Sequence, residues 1–179
     1  MTTFYLVRHA EPDWAFKNAR NLRGAMRDYV PLTANGLQQA EQIVDAHPFI
    51  RESELVLSSP FTRSLHTAAI INRQLVLPIL VEYDLHEWIP DNFELNTHAE
   101  ITALTKEFFA HEGRHPEGEP KIWETKQSVV DRTRAALAKY LDYSKVIVVC
   151  HGMVITSLLD YGYEEVELGS VHPYVMERA

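Results

Sequence analysis

Two histidines each follow a short apolar run that has the composition of a buried strand. Arg8 and His9 come directly after the run 4–7, and His151 comes directly after the run 146–150. In open α/β sheets, ligands bind outside the carboxyl ends of the strands. A neutral imidazole is a competent nucleophile, and a neighbouring guanidinium suits an anionic electrophile such as a phosphoryl group. The pattern predicts one pocket with phosphoryl-transfer chemistry, although a loop-capping Arg8 beside an ordinary half-buried His9 would give the same pair.

Two other charged side chains occupy positions that favour an anion site. Arg63 lies in the first turn of a predicted helix that begins near Pro60, and the free N–H groups of such a turn also attract anions. Glu87 follows the predicted strand 79–81 and stands beside Trp88, where a carboxyl group can have a raised pKa and serve as an acid. Taken alone, a surface ion pair also explains Arg63, and a solvated loop also explains Glu87.

Apolar runs alternate with helical stripes, and this order predicts a three-layer α/β/α fold with a mostly parallel central sheet and helices on both faces. Strands are expected at 4–7, 55–57, 79–81 and 146–150, with weak alternation at 166–176 that allows an edge strand or two. Helices are expected from the N-cap Thr33 to 46, after Pro60, and at 99–110, 124–142 and 154–160.

Residues 11–31 show no clear period and contain Pro12, Gly24 and Pro31, so they are predicted to form a long loop. This loop is basic in an otherwise acidic chain, through Lys17, Arg20, Arg23 and Arg27. It is either one wall of an anion site or a solvated charged segment.

The composition describes one ordinary globular domain over residues 1–179, with 46% hydrophobic and 23% charged residues. The net charge of −8 argues against nucleic acid as a partner. No apolar run approaches the roughly 20 residues that span a bilayer, so no membrane partner is expected. A single cysteine and a chain that enters its first strand at once favour a cytoplasmic location without a signal peptide. The oligomeric state is left open.

Residues 88–123 contain three prolines and two glycines around the predicted helix 99–110. We expect them to form an insertion, or cap, over the site rather than a second domain. His111 and His115 have the spacing of a metal pair, but Gly113 and Pro116 disfavour a rigid helix there, so both are expected at the surface. No cluster of carboxylates and histidines has ligand spacing, and no metal is predicted.

Five segments of the chain resemble the histidine phosphatase superfamily, also called phosphoglycerate mutase-like. They are similar, in the family's order, to its Arg-His-Gly signature, its Pro-Leu-Thr-x-x-Gly-x-x-Gln-Ala stretch, its Ser-Ser-Pro-x-x-Arg…Thr-Ala segment, its Leu-x-Glu and its closing His-Gly. The segments are 6–11, 31–40, 58–68, 84–87 and 148–152. Because five such segments in order span most of the chain, the resemblance is specific.

The resemblance implies a phosphomonoester hydrolase that works through a phosphohistidine on His9. Glu87 would protonate the leaving oxygen and then activate water. Arg8, Arg63 and His151 would surround the phosphoryl oxygens, and His151 would count among the catalytic residues together with His9 and Glu87. Fixed cations can stabilise a phosphoryl group in flight without a metal, and the mechanism requires no cofactor.

The chain also departs from the family's pattern. Ala10 replaces the usual glycine, and Pro12 and Ala15 stand where the family often has a threonine and an asparagine that help to hold phosphate, although Trp14 is retained. The family's Gly-x-x-x-Glu-Gly after the acid is absent as well. Replacement contacts are expected from Asn18, Arg20 or Arg23.

Three functions fit these motifs. A short cover over the site exposes the phosphohistidine to water and favours hydrolysis over mutase-type transfer, while the missing polar contacts allow a non-catalytic binder of phosphorylated ligands. The expected substrate is a small phosphorylated molecule, with a phosphoprotein as an alternative. Residues that could shape the pocket mouth are Trp88, Asn92, Phe93, Lys121 and Trp123.

Overall fold

The computed structural model describes residues 1–95 and 97–178. Its strands are β1 (Thr2–Arg8), β2 (Leu55–Ser58), β3 (Ile79–Val81), β4 (Lys145–Cys150) and β5 (Val171–Met176). They form one sheet in the order β3-β2-β4-β1-β5. All neighbouring strands are parallel except β5, which pairs antiparallel with β1 at one edge. The prediction of a mostly parallel sheet is confirmed, and the weak alternation near the end of the chain yields one edge strand.

Six α-helices lie within the described residues. They are α1 (Trp14–Ala19), α2 (Ala34–Ala46), α3 (Thr62–Leu75), α4 (His98–Ala110), α5 (Lys126–Ala138) and α6 (Gly152–Leu159). Short 3₁₀ helices occupy Gly24–Asp28, Pro48–Glu52, Tyr83–Leu85 and Tyr163–Glu165. Thr33 is the N-cap of α2, as predicted, and its side chain accepts a hydrogen bond from the backbone N–H of Gly36 at 2.9 Å.

The sheet has an apolar core on each face, because successive side chains of a strand point to opposite sides. In β1, Phe4 and Leu6 belong to the core that α5 and α6 cover, whereas Tyr5 and Val7 belong to the core that α2 and α3 cover. Both cores draw on β4 in the same alternating way. Helices therefore lie on both faces, which confirms the predicted three layers.

The prediction of an unbroken loop over residues 11–31 is wrong. The segment contains α1 and the 3₁₀ helix Gly24–Asp28. Asp13 starts α1 by accepting a hydrogen bond from the backbone N–H of Phe16 at 2.9 Å. A six-residue helix makes fewer than two turns, so it leaves no hydrophobic period in the sequence.

Two predicted helices have different bounds in the structure. α5 ends at Ala138 rather than near 142, although Tyr140 and Leu141 still pack on the core and so continue the apolar pattern past the helix end. α6 begins at Gly152 rather than 154 because His151 is its N-cap residue.

The segment between Tyr83–Leu85 and α5 contains α4, close to the predicted helix 99–110. Phe108 anchors this helix by packing against Trp88 and Trp123, with ring centroids 5.0 and 5.4 Å apart. His111 is exposed as predicted, whereas His115 is only partly exposed. The His115 ring packs 4.6 Å from that of Trp123 and its Nε2 lies 2.8 Å from the Trp123 carbonyl oxygen.

Cys150, the only cysteine of the chain, ends β4 and is fully buried. Burial raises the pKa of its thiol, which agrees with the small apolar role expected for it. None of the described helices combines the length and the apolar character that crossing a membrane requires.

Candidate active site

The parallel pairing of β1 with β4 brings the two predicted histidines together. Arg8 is in register with Cys150, and the backbone N–H of His9 donates to the Cys150 carbonyl oxygen at 3.0 Å. The rings of His9 and His151 then lie with centroids 5.1 Å apart. Both side chains are buried, so two distant parts of the chain form one site at the carboxyl ends of the strands, as predicted.

Hydrogen bonds define which nitrogen of His9 can attack a substrate. Nδ1 lies 2.8 Å from the carbonyl oxygen of Ala10. Because a carbonyl can only accept, Nδ1 carries the proton and Nε2 has the lone pair. Nε2 accepts a hydrogen bond from Nε of Arg63 at 3.1 Å. The ring is therefore fixed in the tautomer that a nucleophilic Nε2 requires.

Burial and the nearby guanidinium groups of Arg63 and Arg8 hold the pKa of His9 well below its usual range, although the bond to the Ala10 carbonyl opposes this shift. A low pKa leaves the imidazole neutral at physiological pH. A neutral ring is the form that can act as a nucleophile.

Arg63 reaches the site from the first turn of α3 and is 3% exposed. In addition to its bond to His9, its Nη1 donates to Asp28 Oδ1 at 2.9 Å. Asp28 also faces Arg27, whose guanidinium forms a paired contact with both carboxylate oxygens of Asp91, at 2.5 and 2.7 Å. A phosphoryl group that binds Arg63 therefore competes with a resident carboxylate.

His151 is fully buried, and its two ring nitrogens have different surroundings. Nε2 lies 2.7 Å from Ser59 Oγ, which already accepts from the backbone N–H of Phe61 at 3.3 Å. Ser64 Oγ lies 3.3 Å from the same nitrogen, so Nε2 faces two hydroxyl groups. Nδ1 has no hydrogen-bond partner among the described residues. It lies 4.0 Å from Oε2 of Glu87.

Glu87 is the acidic group of the site. Its Oε1 accepts from the backbone N–H of Trp88 at 2.9 Å. Burial raises the pKa of Glu87, although Arg63, Arg8 and Arg132 act against this shift. A carboxyl group with a raised pKa holds its proton closer to neutral pH and can donate it.

Arg132 of α5 fixes the loop that carries Glu87. Its Nη1 donates to the carbonyl oxygens of Asp84 and His86 at 2.5 and 2.9 Å. Its Nε donates to Glu124 Oε1 at 2.7 Å. Both partners of this ion pair are largely buried. The loop and the helix that supports it are thereby tied together.

We expect Arg132→Met to lower the free energy of unfolding by about 3–5 kcal/mol, because it leaves the buried Glu124 carboxylate without its partner. Urea denaturation measures this loss. Arg134→Met is the matched control, since exposed Arg134 makes one hydrogen bond to Tyr174 and its loss should cost about 0.5 kcal/mol or less. Equal stability of the two variants would contradict the role assigned to Arg132.

Arg8, at the end of β1, is held from its far side. Its Nη1 donates to the Val166 carbonyl oxygen and its Nη2 to Tyr163 Oη, the second bond at 2.8 Å. Its Nε is buried without a hydrogen-bond partner in the described part of the chain. A Cβ at position 152 would lie 3.1 Å from Cζ of Arg8 and 2.9 Å from the Tyr163 ring, so Gly152 lets the guanidinium approach the helix.

The site opens into a cavity of about 1700 Å³ that is lined by four of the five predicted catalytic and phosphate-binding residues: Arg8, His9, Arg63 and Glu87. The fifth, His151, is fully buried and does not line the cavity. Of the residues predicted at its mouth, Trp88 and Phe93 line the cavity. The other three candidates do not reach it: Trp123 belongs to the core, Lys121 pairs with Glu107, and neither these two nor Asn92 lines the cavity.

The expected replacements for the missing phosphate contacts are only partly found. Pro12 lines the cavity and Ala15 does not, while Asn18 lies at the cavity wall as expected. Arg20 is instead stacked on the ring of Phe16 at 4.4 Å, and Arg23 donates to the side chain of Asn21 at 3.2 Å. Of the four basic residues in this segment, Lys17 and Arg27 line the cavity, and Arg27 is paired with Asp91.

Sequence reasoning did not single out Asp28, Ser59 or Tyr163, each of which contacts a predicted site residue. Ser59 lies in the Ser-Ser-Pro segment, but the sequence pattern does not indicate that its hydroxyl contacts His151. Asp28 and Tyr163 reach the site from 3₁₀ helices that carry no sequence period. Within the described residues, no three side chains of the types His, Cys, Asp or Glu are grouped so that they could hold a metal ion.

The sequence model of the family "histidine phosphatase superfamily (branch 1)" matches residues 4–173 of the chain. The chain belongs to this superfamily, as its five segments predicted. The described fold has the sheet and helices of that class of protein.

Proteins of similar sequence include a phosphatase and a probable mutase, and solved structures of similar fold are also known. "Uncharacterized phosphatase PhoE" of Bacillus subtilis is 30% identical over 164 residues, which cover 89% of this chain and 76% of the relative. "Probable phosphoglycerate mutase GpmB" of Proteus mirabilis is 29% identical over 170 residues, with coverage of 89% and 74%. The solved structure of Bacillus stearothermophilus YhfR has a TM-score of 0.68 at 28% identity and covers 94% of this chain and 83% of its own.

Proposed function

We propose that the protein is a metal-independent phosphomonoester hydrolase that forms a phosphohistidine at Nε2 of His9. The observation that carries the proposal is the fixed tautomer of a buried, neutral His9 whose lone pair faces Arg63. Membership of a superfamily with phosphatase relatives supports the same reaction class.

The first step transfers the phosphoryl group to the enzyme. As Nε of Arg63 exchanges its hydrogen bond to His9 for one to a phosphoryl oxygen, the Nε2 lone pair of His9 attacks phosphorus and the bond between phosphorus and the leaving oxygen breaks. Glu87, whose pKa is raised by burial, gives its proton to that oxygen. The product alcohol leaves, His9 carries the phosphoryl group, and Glu87 is ionised.

The second step restores the enzyme. A water oxygen attacks phosphorus, the phosphorus–nitrogen bond breaks, and the water proton passes to the Glu87 carboxylate. The water oxygen supplies the electron pair of the new P–O bond, and the pair of the broken P–N bond returns to Nε2. Inorganic phosphate then leaves. The same carboxyl group therefore acts as acid in one step and as base in the next.

Charged and polar donors stabilise the phosphoryl group in both steps. Arg63 lies against the attacking nitrogen, and Arg8 and His151 each have a buried nitrogen without a hydrogen-bond partner in the described structure, Nε and Nδ1 respectively. Unpartnered buried polar atoms are costly, and an anion in the site would accept a hydrogen bond from Nε of Arg8 and from a protonated Nδ1 of His151. Donors fixed before the reaction stabilise developing charge without reorganisation.

We infer that residues 1–179 form a single domain in which 88–123 is a cap over the site. Side chains of this segment line the cavity from Trp88 to Arg114. A cavity of about 1700 Å³ supports a small phosphorylated molecule as the substrate.

The test is release of inorganic phosphate from p-nitrophenyl phosphate by the whole chain, with and without EDTA. We expect turnover that EDTA does not reduce. Rapid acid-free quenching with ³²P-labelled substrate should trap label that is stable to alkali and lost in acid, as a phosphorus–nitrogen bond is. Turnover that EDTA abolishes, or label on a hydroxyl, would overturn the proposal. A lack of release from every ester tried would favour the non-catalytic binder.

The mutase-type alternative draws its support from the similarity to GpmB. Incubation with 3-phosphoglycerate and bisphosphoglycerate separates the two reactions, because a hydrolase releases phosphate whereas a mutase returns it to the substrate. Isomerisation that outpaces phosphate release would favour the alternative.

A further inference from the structure

A continuous series of aromatic rings extends from the site into the cavity. The Tyr163 ring centre lies 4.9 Å from Cζ of Arg8. The Phe109 ring follows at 6.2 Å from Tyr163, and the Phe108 ring at 5.4 Å from Phe109. An apolar surface therefore begins beside one of the two arginines proposed to hold phosphate.

Three rings of the cavity wall are not covered by the core. Trp14, Phe109 and Tyr161 are 45%, 40% and 40% exposed, and all three line the cavity. Trp14 stands 5.6 Å from Cζ of Arg63, so exposed rings adjoin the second arginine as well. Exposed apolar side chains that gather in a concave site are typical of ligand binding rather than of random exposure.

Charged side chains elsewhere in the cavity carry both signs. Among them are Lys106, Arg114, Lys126, Glu112, Asp160 and Glu164. Lys126 and Asp160 are paired with each other. Away from Arg8 and Arg63, the cavity therefore has no uniformly positive surface that would bind a second anionic group of the substrate.

We propose that the substrate is the phosphomonoester of an alcohol with a large apolar body, aromatic or branched. Its phosphate lies between Arg8 and Arg63, and its apolar body packs against Trp14, Phe109 and Tyr161. The inference rests on the proposed hydrolase function and adds the class of leaving group. A small polyol phosphate would leave most of the cavity of about 1700 Å³ to water, whereas an apolar body releases that water from the exposed rings.

The test compares kcat/KM for two esters of primary alcohols, 2-naphthylmethyl phosphate and ethyl phosphate. Both have an alkoxide leaving group and one phosphate, so the difference between them reports the body of the alcohol. We expect the naphthylmethyl ester to be preferred by about 10- to 200-fold. A ratio near one, or a preference for ethyl phosphate, would overturn the inference.

A pair of matched variants assigns the preference to the cavity wall. Phe109→Ser should lower the ratio several-fold, chiefly through a higher KM for the naphthylmethyl ester. Phe49→Ser should leave the ratio unchanged, because Phe49 is similarly exposed, at 42%, but lies outside the cavity lining. An unchanged ratio in Phe109→Ser would refute the placement of the apolar body.

The two proposals fail in different ways. An enzyme that hydrolyses p-nitrophenyl phosphate but shows no preference between the two esters keeps the proposed function and loses the inference. If no ester is hydrolysed, calorimetry with 2-naphthylmethylphosphonate and ethylphosphonate tests the inference by binding alone. Tighter binding of the naphthyl compound by about 10-fold or more then supports it, and equal binding rejects it.

Discussion

His9→Ala is expected to abolish hydrolysis of p-nitrophenyl phosphate, with kcat lower by about 10⁴-fold or more, because the variant has no atom to form the phosphorus–nitrogen bond. The remaining donors, Arg8, Arg63 and His151, can still bind a phosphoryl group. KM should therefore change much less than kcat. Steady-state kinetics and the amount of trapped ³²P label measure the two effects separately.

The control for this variant is His111→Ala, which removes an exposed histidine outside the cavity lining. Its kinetics and its labelling should equal those of the parent chain. A His9→Ala protein that still accumulates acid-labile label would show that another ring, such as that of His151, carries the phosphoryl group. That result would refute the assignment of the nucleophile.

Glu87→Gln is expected to show an effect that depends on the leaving group. An alkoxide leaves poorly without a proton, so hydrolysis of ethyl phosphate should fall by about 10²- to 10⁴-fold. p-Nitrophenolate leaves without protonation, so its release in a first-turnover burst should fall far less. Equal losses for both substrates would contradict the role of Glu87 as proton donor.

The pH profile of kcat/KM for ethyl phosphate, whose leaving group needs a proton, tests the same carboxyl group. Burial and the arginines lower the pKa of His9, so activity should rise with pH as His9 loses its proton, at a pH below the usual range of histidine. Burial raises the pKa of Glu87, so activity should fall again as pH passes through that raised value. Glu87→Gln should lose the alkaline limb, relative to the parent chain, and keep the acid limb. Glu82→Gln is a control, since Glu82 is held by Lys139 and Tyr140 outside the cavity lining.

The parts of the fold that the sequence predicts are those with a strong period or a cap. The run 4–7, the run 146–150 and the helix after Thr33 lie where their patterns place them. α1 and the 3₁₀ helix Gly24–Asp28 were missed because each is too short to show a period. The end of α5 was misplaced because apolar side chains beyond Ala138 continue to pack on the core.

The site follows the same division. Arg8, His9 and His151 stand at strand ends, so the parallel register of β1 and β4 is enough to bring them together. The pairing of Arg63 with Asp28 depends on how a short segment folds back against α3, and no local pattern encodes such a contact. Of the three residues expected to replace the missing polar contacts, Asn18 lies at the cavity wall, whereas Arg20 stacks on the ring of Phe16, a local contact that the sequence pattern does not encode.

The buried sulfur of Cys150 makes the protein its own reporter of unfolding. A reagent such as Ellman's needs an accessible thiolate. In the folded protein, Cys150 is fully buried and burial raises the pKa of its thiol, so the reagent cannot reach it and the thiol stays protonated. Colour should therefore develop only as fast as β4 detaches from its neighbours, which also separates the two histidines. The rate of this colour change thus measures the loss of the central sheet without any tag or substitution in the chain.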